Sequence, residues 1–173
     1  TLVIGRPCFL QKHGFLQMHV SGSSYFCWRW SDFEMAKKKT WQEKLLDSKG
    51  HPSIMEIGPD MQKRWGRGSL VIPAPIEVDE IMRGVRKGSV ITIDDIRKQL
   101  AKKHQVDVAC PITTGIFAWI AANAADEKEK LGKKRITPYW RILKTGFELN
   151  PKYPGGIENL RSRLEEEGHV VEQ

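Results

Sequence analysis

Thr92-Ile93-Asp94-Asp95 commits the middle of this chain to helix. A threonine hydroxyl three residues ahead of a carboxylate is a capping box, and the apolar residues that follow have helical spacing. Ile93, Ile96 and Leu100 read as the inner face of that helix, with Arg97, Lys98, Lys102 and Lys103 facing out. Upstream, residues 77–87 put Val78, Ile81, Met82 and Val85 on one face of a further helix, which Gly88 is expected to end; Val90 and Ile91 then lead into the capping box. Downstream, a turn reaches Cys110-Pro111 and a helix expected over about 112–125. A helix, a turn and a second helix with a basic first member outline a DNA-binding unit, an outline that all-α proteins also produce by chance.

The flanks are shorter elements. Thr40-Trp41-Gln42-Glu43 is another capping box, opening a short helix through Leu45 and Leu46 that Gly50-His51-Pro52 stops. Met61 and Trp65 suggest a helix over 59–66, and Pro73 and Pro75 make 69–75 an extended apolar connector. Residues 126–135 read as a charged loop, 136–149 as a short hairpin or wing, and 156–167 as a final helix with Ile157, Leu160 and Leu164 apolar. Residues 1–34 differ from all of this: Cys8, Phe9, Phe15, Tyr25, Phe26, Cys27, Trp28, Trp30 and Phe33 follow neither period. Met35-Ala36-Lys37-Lys38-Lys39 looks like a natural start, so 1–34 reads either as a mis-assigned upstream extension or as a disordered tail. The expected organisation is 1–34, a helical extension and connector over 35–73, and a main domain over 74–173.

The charge of +7, from 28 Lys and Arg against 21 Asp and Glu, suits a polyanionic partner. Three cysteines without a C-x-x-C spacing argue against a disulfide framework or a zinc knuckle and make a reducing cytoplasm the default. His104 and His169 have no partners at metal-ligand spacing, so neither metal nor other cofactor is expected. No apolar run of about 18 residues suggests a membrane span.

Pro138-Tyr139-Trp140-Arg141, then Tyr153-Pro154-Gly155-Gly156, then a helix ending in Glu167-Gly168, form an ordered set. Their spacing resembles the DNA-binding domain of the O6-alkylguanine-DNA alkyltransferases (methylated-DNA–protein-cysteine methyltransferases), over roughly residues 74–170. In that family the signature is Pro-Cys-His-Arg. The family's pattern of helix, Gly, Val-Ile-(Ser/Thr)-Tyr and helix is similar to residues 77–100, with Gly88 and Val90-Ile91-Thr92 in place. Its recognition helix, ending in Asn, is similar to 113–123, with Asn123 at the Asn. The resemblance implies a mostly α domain with a short β wing, of winged helix-turn-helix type.

The family's chemistry needs a low-pKa thiolate activated by His. Here Tyr139 stands at the Cys and Trp140 at the His. A phenol with a pKa near 10 is a poor nucleophile, and an indole N–H accepts no proton. The chain resembles instead the alkyltransferase-like members, which bind O6-alkylguanine without reversing it and pass it to nucleotide excision repair proteins. The resemblance implies a lesion pocket of Pro138, Tyr139, Trp140, Arg141, Tyr153 and Asn123, with aromatic walls for a flipped base. Asn123 reads equally as a tie between the helix end and the signature loop. Thr113, Thr114, Gly115, Lys128, Lys133, Lys134 and Arg135 would touch the backbone of double-stranded DNA. Three departures affect flipping: the family's Arg finger falls near Thr114, its phosphate-rotating Tyr falls at Ile93, and Pro154 has no N–H to offer the base.

Several residues admit a plainer reading. Thr113, Thr114 and Gly115 serve equally well as a helix start, and the 128–135 cations as a solvated loop. Ile112, Ile116, Trp119 and Ile120 read as core. Cys110 is either a displaced acceptor thiol at a helix N-terminus or a small buried apolar residue. The expected function is DNA binding in repair, with recognition of alkylated DNA and no alkyl transfer at Tyr139. The alternatives are an active alkyltransferase relative that uses Cys110, and a winged-helix regulatory or interaction module.

Overall fold

A computed structural model describes residues 38–171; the expectations for residues 1–34 lie outside the described residues. Helix α1, Trp41–Leu46, opens on the capping box as expected: Glu43 N donates to Thr40 Oγ1 at 3.1 Å, and Thr40 N donates to Glu43 Oε2 at 2.7 Å. Strand β1, Ser53–Glu56, and helix α2, Pro59–Trp65, follow. Ser69–Ile72 is strand β2, the centre of a three-stranded sheet and not a bare connector. It pairs antiparallel with β1 (Ile54 opposite Val71) and parallel with β4, Val108–Ala109 (Leu70 opposite Val108). The prolines at 73 and 75 fall just beyond β2, so they remove no donor from this ladder.

Helix α3 is Pro75–Arg83, with proline at its first position, where no N–H is needed. It ends four residues earlier than expected, at Gly84, whose N–H closes onto the Glu80 and Ile81 carbonyls. Gly88, at φ +77°, makes the later turn into β3, Ile91–Thr92. Helix α4, Ile93–His104, starts on the second capping box, with Thr92 N donating to Asp95 Oδ2 at 3.0 Å and Asp95 N to Thr92 Oγ1 at 3.3 Å. Ile96 and Leu100 are buried, as their spacing predicts.

Helix α5, Pro111–Lys130, is longer than expected and absorbs the first half of the supposed charged loop. Its carboxylates find partners that favour helix: Asp126 pairs with Lys130, Glu127 accepts from Gln42 N, and Glu129 pairs with Arg163. It also buries a different face from the one expected. Phe117, Ala118, Ala121, Ala122 and Ala125 face inward, while Ile112 (59 % exposed), Ile116 (48 %) and Trp119 stand out, and Ile120 is half-buried. Alanines at this spacing let α1 and α3 approach the α5 axis closely, which isoleucines would prevent.

The hairpin expected over 136–149 does not form. Tyr139–Arg141 is a 3-10 turn, and β5, Ile142–Leu143, pairs in parallel with β3, Ile91 opposite Ile142. Helix α6, Gly156–Glu165, buries Leu160 and Leu164 and leaves Ile157 exposed. The result is mostly α with small β elements, and α1 and β2 share the core of the later helices. No helix among the described residues is long and apolar enough to cross a membrane.

Candidate functional site

The signature segment is gripped from both sides. Ahead of it, Thr137 donates to Asp79 Oδ1 at 2.6 Å, while Arg83 reaches Asp79 Oδ2 at 2.5 Å and Thr137 Oγ1 at 3.2 Å. Burial pushes the Asp79 carboxyl above its ordinary value, against the pull of Thr137 and Arg83. Behind it, Arg141 makes a bidentate pair with Glu167, Nε to Oε2 at 2.8 Å and Nη2 to Oε1 at 2.7 Å, and gives Nη1 to the Val85 carbonyl at 2.6 Å. Trp140 donates Nε1–H to the same carboxylate at 2.9 Å. Burial alone would raise Glu167, but the donors on Arg141 and Trp140 outweigh it and hold the carboxyl below its ordinary range.

Between these anchors Tyr139 is fully buried. Its ring stands edge-on to Trp140, centroids 5.4 Å apart, and to Tyr153 at 6.1 Å. Arg163 lies 4.7 Å from the Trp140 ring and 5.7 Å from that of Tyr139. Burial raises the Tyr139 phenol above its ordinary pKa, while Arg163 pulls it down. The phenol oxygen has one long hydrogen bond, from Asn159 Nδ2 at 3.4 Å. Tyr139 and the buried Pro138 are thus packed inside and do not wall an open pocket as the sequence suggested, because the aromatic cluster closes over them.

The open space lies beside this cluster. A cleft of about 260 Å³ is bounded by Ile93, Asp94 and Arg97 at the start of α4, and by Pro111 and Gly115 at the start of α5. Leu143, Lys144 and Thr145 after β5, with Asn150 and Tyr153, close the far side. Of the expected site residues, Tyr153 and Gly115 line it; Pro138, Tyr139, Trp140, Arg141 and Asn123 do not. Tyr153 is pushed up to about 12 by burial, with a hydrogen bond to Asn150 acting the other way. Asn150 shapes the loop through Oδ1, which accepts from Lys152 N at 3.1 Å. Beyond it, Asn159 Nδ2 donates to the Pro154 carbonyl at 2.9 Å. Gly155 sits at φ +77°, where a Cβ would come within 2.4 Å of Asn159 Nδ2. Trp119 ties this loop to α5 by donating Nε1–H to the Lys152 carbonyl at 3.0 Å.

Cross-bracing holds the cleft rim. Arg97 gives Nη1 to Asp94 Oδ1 at 2.8 Å and Nε to the Ala109 carbonyl at 3.2 Å; Thr145 gives its hydroxyl to Asp94 Oδ2 at 2.8 Å. Helical spacing puts Arg97 on a solvent face, and no motif marks Asp94, Thr145 or Asn150 as residues of a site. Helical spacing names a face but not its neighbour, and here the neighbour is the loop after β5.

The residues expected to touch DNA are scattered. Thr114 is completely buried, its hydroxyl donating to the Cys110 carbonyl at 2.7 Å, so it cannot reach a phosphate. Thr113 is half-buried and makes a longer bond, 3.4 Å, to the same carbonyl. Lys128 is half-buried on α5 and not in a loop, while Lys133, Lys134 and Arg135 are exposed beyond the Gly132 turn. Asn123 gives Nδ2 to the Trp119 carbonyl one turn back, at 2.8 Å, and α5 continues past it, so it ties no helix end to the signature. Cys110 is 6 % exposed, in a small apolar cluster with Ile57 and Leu70, which agrees with its plainer reading. His104, left without a partner by the sequence, lies 3.0 Å from Glu77 Oε1. A groove of about 400 Å³ between β1, α2 and β2 has Glu56 as its one ionisable lining residue and includes none of the motif residues.

Comparison with protein-family models, with curated proteins and with solved structures returns no match to this chain.

Proposed function

We propose that this chain is a helix-turn-helix protein of the alkyltransferase DNA-binding type, which binds double-stranded DNA and recognises O6-alkylguanine without accepting its alkyl group. The observation that carries the reading is the convergence of three sequence motifs on one wall. Trp140 lies 2.9 Å from Glu167, and Tyr139 packs edge-on against Tyr153, although 27 and 14 residues separate the partners. A cleft at the start of α5 adjoins that wall, with Tyr153 in both. Its volume, about 260 Å³, is slightly below the roughly 300–1,000 Å³ of drug-sized sites, a scale suited to a single flat base.

Alkyl transfer is disfavoured by the same wall. Displacement at an alkyl carbon needs a soft anionic nucleophile, whereas Tyr139 is buried with its phenol held protonated. Trp140 spends its only polar hydrogen on Glu167 and has no lone pair to take a proton. Nucleotide excision repair proteins are the partners this reading implies, because a lesion bound but not reversed needs a second activity to remove it.

The test is binding by fluorescence anisotropy to O6-methylguanine duplex, unmodified duplex and single strands across a salt series, together with transfer of a labelled methyl group. The expected result is tighter binding to the lesion duplex, weakening with salt, and no label on the protein. Stable label lost in Cys110→Ser would establish the Cys110 enzyme instead. Equal binding to lesion and unmodified duplex would leave a helix-turn-helix regulator.

A further inference from the structure

We infer that Arg97 is a phosphate-gripping residue of the cleft, holding one backbone phosphodiester of the bound DNA beside the site; this rests on the DNA-binding reading above. The guanidinium is planar, and two of its edges are already taken. Nη1 is held by Asp94 Oδ1 at 2.8 Å and Nε by the Ala109 carbonyl at 3.2 Å. Those bonds fix the plane of the group. Nη2 takes no partner among the described residues, on a side chain that lines the cleft and is 26 % exposed. A fixed guanidinium with free N–H donors is matched to the oxygens of a phosphate.

The surroundings support an anion there. Asp94, the one carboxylate lining the cleft, is engaged on both oxygens, by Arg97 and by the Thr145 hydroxyl. Neither oxygen is therefore left without a donor in the rim. Lys144 is the other cation of the lining, and its partner Glu148 is a solvent-exposed, i,i+4 carboxylate that competes weakly. Ile93 and Leu143 supply the apolar side of the cleft, and Gly115 adds no side chain, so a backbone can approach α5 closely.

The purely structural alternative is that Arg97 only ties α4 to the Ala109 carbonyl. A neutral-linkage scan separates the two. Methylphosphonates are placed singly at the phosphates on either side of O6-methylguanine in a duplex, and affinities are measured for the wild-type chain, Arg97→Gln and Arg97→Lys. One methylphosphonate is expected to weaken the wild type about tenfold, the scale of a charge-assisted hydrogen bond, and to leave Arg97→Gln unaffected. Arg97→Lys, which keeps the charge and folds with less disturbance, should retain part of that sensitivity. The salt slope of log affinity should shrink by about one in Arg97→Gln. If Arg97→Gln and the wild type respond alike to every methylphosphonate, with equal salt slopes, the proposal is wrong while the DNA reading stands. Absence of any salt-sensitive DNA binding by the wild type would overturn both. Inorganic phosphate that binds the wild type but not Arg97→Gln, without displacing the duplex, would identify a free-anion site and overturn the DNA assignment.

Discussion

Trp140 and Glu167 meet at 2.9 Å, indole N–H to carboxylate, with Arg141 closing on the same carboxylate from the other side. A nearly buried anion is thus satisfied by two neighbours in sequence, and the signature loop is welded to the chain just beyond α6.

Glu167→Gln should therefore destabilise the protein by about 2–4 kcal/mol at neutral pH, since it leaves a buried guanidinium without its anion. The Glu167 carboxyl lies below its unfolded value of 4.5, so its stabilisation is complete above that pH and is lost as pH falls through the folded value. Urea denaturation of wild type and variant across acid pH should show the gap closing below about 4.5.

Tyr139 acts through its ring. Tyr139→Phe, which gives up a 3.4 Å hydrogen bond, should cost under about 1 kcal/mol, whereas Tyr139→Ala should cost about 3–5 kcal/mol from the cavity it opens. Equal losses in thermal unfolding would mean that the hydroxyl carries the effect.

Both described phenols should resist ionisation. Tyr153 is pushed up to about 12 and Tyr139 is raised above its ordinary 10, so the folded state keeps protons that the unfolded chain releases above pH 10. Stability then falls as pH rises past 10, and tyrosinate absorbance from these residues should appear together with loss of helical circular dichroism. Tyrosinate forming at Tyr153 well before unfolding would contradict this.

Gly155→Ala should be worse than Gly156→Ala. Both positions have positive φ, but only at 155 would the new Cβ strike Asn159, which would have to leave the Pro154 carbonyl. Losses of about 1 kcal/mol at 156 and at least twice that at 155 are expected from chemical denaturation.

On α5, Ile116→Asp should leave the melting temperature within a few degrees of wild type, since the side chain is exposed, yet weaken DNA binding by placing an anion next to the cleft residue Gly115. Thr114→Val should instead lower stability by about 1 kcal/mol and leave DNA binding unchanged, because that buried hydroxyl donates to the Cys110 carbonyl and reaches no ligand.

Local chemistry made α1 and α4 legible in the sequence, because a capping box satisfies its donors within four residues. The buried face of α5 was not legible. Apolar side chains occur all around residues 112–125, and the choice of face depends on which side α1 and α3 approach. For the same reason the aromatic signature was found and its burial was not: a tyrosine walls a cavity or fills one according to what packs over it. Arg97 and Thr145 are 48 positions apart, and nothing local announces that Asp94 joins them.

Trp119 holds the cleft loop by the carbonyl of Lys152, leaving that lysine's side chain out of the bond. Any residue except one that distorts the turn can occupy position 152 and the strut persists. The loop's fastening is in this sense blind to sequence, which makes Lys152 a site where a reporter group or a change of charge can be introduced at the edge of the cleft while the frame beneath it keeps its shape.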